Sequence, residues 1–104
     1  MLAVLLFTAL SAEPDLELGR SIYAAKCTAC HGVMGKGDGA VSLALPQPPA
    51  DFSAAAYWKR ADDKLLRAVI TSGKPGTVMR GFPMKPAHLD SLVAYLRTLA
   101  PKPE

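Results

Sequence analysis

The chain has 104 residues, half of them hydrophobic, with 12 Lys and Arg against 9 Asp and Glu for a formal net charge of +3. That length holds one domain at the small end of what an apolar core alone stabilises, so something further in the interior is expected. The charge is too small, and the basic residues from Arg20 to Lys102 too dispersed, for a nucleic-acid surface; the run Trp58-Lys59-Arg60 reads as a solvated cluster.

Residues 1–12, MLAVLLFTALSA, carry no charge and end in small residues, like the apolar region and cleavage site of a secretory signal peptide, although the usual basic start is missing. The run is too short to span a bilayer comfortably. Removed, it leaves a domain of residues 13–104 exported to the periplasm; retained, it is an N-terminal anchor.

Behind a possible N-cap at Asp15, Leu18, Ile22 and Ala25 recur at helical spacing and predict a helix over Leu16 to Cys27, with Gly19 and Tyr23 on one face. This helix runs into KCTACHG, where Cys27, Cys30 and His31 form C-x-x-C-H. A disulfide across two intervening residues would restrain little of the unfolded chain. A thioredoxin-like pair wants a βαβ context, and structural zinc wants four ligands, whereas beyond the cluster the chain offers only His88, read as exposed on the C-terminal helix. The pattern is instead a signal for c-type haem attachment. Thiols three positions apart near a helix end point to one side, reach both vinyl groups of one porphyrin, and leave the next imidazole beneath the iron. Cys27 and Cys30 are therefore expected to form the thioether attachments, and His31 to be the proximal iron ligand.

From Gly32 to Pro49 the sequence is Gly-rich and then Pro-rich, a long loop whose glycines allow positive φ close to the porphyrin. The alternation of Val41, Leu43 and Leu45 runs into PQPP, which argues against a central strand. Irregular connections this long in so small a domain usually wrap or present something. In DDKLLRAVITSG, Leu65, Leu66, Val69 and Ile70 follow an Asp cap and precede the stop signal Gly73, predicting a second helix. Pro86 suits a first helical position, Leu89, Leu92, Leu96 and Leu99 form a stripe, and Pro101 ends the run, predicting a helix over Pro86 to Leu99. The fold class is all-α.

Taken together, GRSIYAAKCTACHGVMGKGDGA, PPADF, AVITSGKPGTVM and LVAYLRTL resemble the class I (monohaem) c-type cytochromes of bacteria over nearly everything from Leu18 to Leu99. The resemblance implies three or more helices around one covalently attached haem used for single-electron transfer. It also implies a close crossing of the N- and C-terminal helices at Gly19, Tyr23 and Tyr95. A proline carbonyl would support His31, for which Pro46, Pro48 and Pro49 are available.

An iron with one His needs a sixth ligand to carry electrons without binding substrates, and a thioether raises the potential. Met34 is too near His31 to cross to the opposite haem face, which leaves Met79 and Met84 on GTVMRGFPMKP. Related sequences commonly have Met-Pro-x-Phe; the equivalent MRGF favours Met79, but Arg80 replaces the proline, and a shifted register would use Met84. Tyr57, Trp58, Lys59, Arg60 and Arg80 are candidate donors to the haem propionates.

With no acid–base cluster and no distal His to cleave peroxide, the expected function is one-electron transfer and not enzyme catalysis. The expected partners are redox proteins with acidic docking surfaces, met by a mildly basic monomer. A dedicated haem subunit of a larger oxidoreductase or respiratory complex is the alternative, and a five-coordinate haem sensor or peroxidase-like protein a third.

Overall fold

The computed structural model describes residues 13–102; the apolar run 1–12, and with it the reading of a leader or anchor, lies outside the described residues. Helix α1 spans Leu16–Lys26, and the Asp15 carboxylate accepts from the Leu18 backbone N–H at 3.1 Å. This satisfies one of the donors that a helix start leaves without a partner, a contribution of about 1 kcal/mol. A single-turn helix α2, Thr28–His31, follows directly, so Cys27 caps α1 rather than belonging to it.

Beyond Gly32 the chain is irregular as far as Ala54, broken only by a 3-10 turn at Ser42–Ala44. Val41 and Leu43 pair with no strand, and Leu43 is 99% exposed. Three helices complete the fold: α3 Ala55–Arg60, α4 Asp63–Ser72 and α5 Pro86–Thr98. Among the described residues there is no strand, only one antiparallel bridge between Gly73 and Arg80. The all-α expectation holds. Helix α3 is an addition to it, since six residues with no side-chain cap leave no periodic signal.

The scaffold is the crossing of α1 over α5. Gly19 makes it possible: a Cβ there would collide with the Ser91 carbonyl and lie 2.8 Å from Tyr95 Cβ. The Tyr23 and Tyr95 rings meet at 5.4 Å, and the Asp15 N–H donates to Ser91 Oγ at 3.0 Å. Tyr23, Leu92, Val93 and Leu96 form the core with Leu66 and Ile70 of α4 and Phe52 from the loop. Helix α4 begins with Asp62 accepting from the Lys64 N–H at 2.8 Å. It is tied to α5 by charge: Arg67 donates to Asp90 at 2.6 Å and to Asp63 at 2.7 Å, and Arg97 donates to Asp63 at 3.0 Å. No helix among the described residues is long and apolar enough to cross a membrane.

Candidate cofactor site

Helix α1 delivers Cys27 at its end, and the single turn of α2 carries Cys30 and His31 onto the same side. The surrounding loop binds back onto the carbonyls of this turn: Val41 N–H on Ala29, Gly39 N–H on Cys30 and Gly37 N–H on His31, at 3.1, 3.0 and 2.8 Å. Glycines 32, 35 and 37 have φ of 84°, 74° and 79°, which is the curl expected of this stretch. Tyr23, 2% exposed in the helix crossing, donates its hydroxyl to the Gly32 carbonyl and so ties α1 to the residue after His31. Burial, with smaller contributions from Cys27, Tyr95 and Asp38, pushes this hydroxyl far above its ordinary range, so it remains a donor.

Cys27, Cys30, His31 and Met79 all line one cavity of about 1370 Å³, whose apolar walls include Phe52, Leu66, Val69, Ile70, Leu92 and Leu96. The volume exceeds the roughly 300–1000 Å³ of common small-molecule sites, as a large flat cofactor requires. The donor set fits a haem in detail. Both cysteines are free thiols. Burial pushes the Cys27 thiol up to about 11, with Lys26 opposing and Cys30 adding to the rise. A thiol held protonated is a poor candidate for dithiol exchange, where the thiolate attacks.

His31 is buried, and desolvation lowers its pKa against a smaller opposing effect of its hydrogen bond, so the imidazole is neutral. Its Nδ1 lies 3.1 Å from the Ala50 carbonyl. With Nδ1–H donating there, Nε2 is the nitrogen left to ligate. This corrects the expectation of a proline carbonyl: Pro46, Pro48 and Pro49 line the cavity, but the acceptor belongs to the residue after them. A second partner escaped sequence reasoning altogether. The Phe52 ring stacks on the imidazole, centroids 4.7 Å apart and planes inclined by 26°. The quoted PPADF contains both residues, yet a carbonyl and a stacking face have no local pattern to announce them.

Met79 is on the cavity wall, whereas Met84 packs against the core without lining the cavity and Met34 is 61% exposed. The loop that brings Met79 across is folded onto the end of α4. The Lys74 N–H donates to the Met79 carbonyl at 3.1 Å, the Met79 N–H to Thr77 Oγ1 at 3.2 Å, and the Phe82 N–H to the Ile70 carbonyl at 2.7 Å. Gly73 permits this, with φ of 85° and a position at which a Cβ would lie 2.8 Å from the Met79 carbonyl. Arg80 places its guanidinium 5.1 Å from the Phe82 ring centre, and Lys26 Nζ lies 5.5 Å from the same ring, joining this loop to the residue before Cys27.

Tyr57, Arg60 and Arg80 line the cavity, whereas Trp58 and Lys59 do not. Trp58 instead donates Nε1–H to the Phe52 carbonyl at 2.7 Å, which removes it from the candidate propionate donors. Among the described residues, no group of three or more His, Cys, Asp or Glu gathers to hold a bare metal ion.

The sequence profile of the family described as "Cytochrome c" matches residues 16–100. No curated protein is similar enough to match the chain. A solved structure described as the Kuenenia stuttgartiensis reducing HAO-like protein complex Kustc0457/Kustc0458 has the same fold, with a TM-score of 0.70 at 23% identity over 85% of this chain; the match spans only 44% of that chain. Another, described as the KustC0563 c-type cytochrome, has a TM-score of 0.66 at 25% identity over 79% of this chain and 96% of its own.

Proposed function

Since the chain belongs to the cytochrome c family, with a covalent c-type haem and haem-based electron transfer as its business, we propose that it is a one-electron carrier with His31 and Met79 as axial ligands. The observation that carries this reading is that Cys27, Cys30, His31 and Met79, but not Met84, line the same cavity.

Bound haem supplies the ferric–ferrous couple. The chain's own residues do the rest. Cys27 and Cys30 would hold the group by thioether bonds, and the hydrogen bond from His31 Nδ1 to the Ala50 carbonyl orients the imidazole and would strengthen it as a ligand. The Met79 thioether would favour the reduced state, and the apolar side chains of the lining, Phe52, Leu66, Ile70, Leu92 and Leu96 among them, would limit contact with water. No substrate bond is made or broken, so the protein is a carrier and not an enzyme. A formal charge of +3 supports brief, salt-sensitive docking to acidic redox partners. The apolar run at residues 1–12 supports export to the periplasm.

The deciding experiment compares two methionine variants. Met79→Ala should abolish the weak near-infrared charge-transfer band of Met-ligated ferric haem and open the reduced protein to carbon monoxide. Met84→Ala should keep the band. The opposite pattern would move the ligand to Met84, and prompt carbon monoxide binding by the unmutated protein would favour the five-coordinate reading.

A second reading, a dedicated haem subunit of a larger oxidoreductase or respiratory complex, takes its support from the occurrence of this fold within a longer chain of the Kuenenia complex. Stoichiometric copurification with a catalytic subunit would favour it; elution as a monomer that reduces several partners would favour the free carrier.

A further inference from the structure

We propose that Phe52 is a positioning residue for His31: its ring and the carbonyl of Ala50 form a two-sided clamp that fixes the rotational setting of the imidazole, and with it the electronic state of the site. The inference rests on the reading of His31 as the proximal ligand.

One hydrogen bond, from Nδ1 to the Ala50 carbonyl at 3.1 Å, leaves the imidazole able to rock about the line of that bond. A surface against its face removes this freedom. The Phe52 ring supplies it, near-parallel at 4.7 Å, and both gripping groups lie within a three-residue segment and move as one.

Phe52 is itself held through both its backbone and its ring. Its N–H donates to the Gly35 carbonyl at 2.6 Å and its carbonyl accepts from Trp58 Nε1 at 2.7 Å. The Tyr57 ring stands edge-on to it at 5.1 Å and 85°. Trp58 in turn lies under the Arg97 guanidinium at 5.4 Å, and Arg97 pairs with Asp63. The clamp is thus anchored in the contact between α4 and α5, away from the cavity wall.

The imidazole plane determines how its π orbitals overlap those of the iron, so its setting governs the spread of unpaired spin over the haem and tunes the potential. An aromatic face beside the imidazole also favours the ferric state, which carries the additional positive charge.

The test uses the haem-loaded protein. Phe52→Leu keeps apolar bulk and removes the ring. It should retain covalent haem and the His/Met optical spectrum, but change the pattern of paramagnetically shifted haem-methyl resonances in the ferric state and raise the reduction potential. Phe52→Tyr, which keeps the ring, should restore both. Trp58→Phe removes the donor to the Phe52 carbonyl without altering the cavity wall and should move the same resonances in the same direction by less. A Phe52→Leu protein with the wild-type methyl pattern and potential overturns the proposal. If that variant fails to fold or to load haem, a wild-type pattern in Trp58→Phe does so instead. Unmutated protein without His ligation in its ferric spectrum sinks the ligand reading together with this one; His ligation with an indifferent Phe52→Leu sinks this one alone.

Discussion

The Tyr23 hydroxyl donates to the Gly32 carbonyl, so a residue buried in the α1–α5 crossing holds the backbone beside His31. One hydrogen bond thereby couples the helix scaffold to the cofactor turn. Tyr23→Phe keeps the ring and its 5.4 Å contact with Tyr95 but loses the bond. The Gly32 carbonyl still accepts from the Gly35 N–H at 3.1 Å, so no acceptor is orphaned. The expected loss is therefore near the low end of the range, about 1 kcal/mol. Guanidinium unfolding of the two proteins measures it.

Gly19→Ala tests the crossing itself. A methyl group there meets the Ser91 carbonyl, a backbone atom that no rotamer change can move aside. Forcing the helices apart costs about 1–3 kcal/mol, against a helix-propensity gain of about 1 kcal/mol for Ala over Gly. A net destabilisation is expected in thermal unfolding. Equal or greater stability would mean that the two backbones do not approach so closely.

Gly73→Ala should act on ligation more than on stability. The position needs φ of 85°, and the added Cβ would press on the Met79 carbonyl at 2.8 Å. Displacement of the Met79 loop is expected, seen as a weaker near-infrared band in the ferric protein and faster carbon monoxide uptake in the reduced one. An unchanged band together with unchanged uptake would refute this role for Gly73.

Asp63 should make stability depend on acid pH. Hydrogen bonds from Arg67 and then Arg97 hold its carboxyl below the ordinary value of 3.8, outweighing a small opposing effect of desolvation. A carboxyl depressed in the folded state contributes stability fully above its unfolded value and loses it as pH falls through the folded value. The thermal midpoint should consequently fall more steeply below about pH 4 in the wild type than in Asp63→Asn. The pair is solvent-exposed, so added salt should shrink the difference. Parallel pH profiles for the two proteins would show that the pairing contributes nothing.

Covalent chemistry and helix periodicity were legible in the sequence because both are local. Cys27, Cys30 and His31 are nearly contiguous, and their identities alone carry the attachment chemistry. Asp15, Asp62 and Pro86 mark where α1, α4 and α5 begin, and the leucine stripe of α5 shows its buried side. Tertiary structure decided what depends on distant segments meeting. Met79 reaches the cavity wall and Met84 the outer core because the loop after Gly73 folds back on α4, a matter of backbone hydrogen bonds between residues of any type. Ala50 replaces the expected prolines as the partner of His31 for the same reason, since a carbonyl oxygen belongs to every residue and betrays no preference in the sequence. The Trp58-Lys59-Arg60 run suggests a surface or propionate-facing Trp58, but its indole N–H is taken by the Phe52 carbonyl six positions earlier, across a turn without periodicity. Residue chemistry specified which cofactor this chain carries; the packing of the loops and helices specified which side chains line its cavity and which carbonyl meets His31.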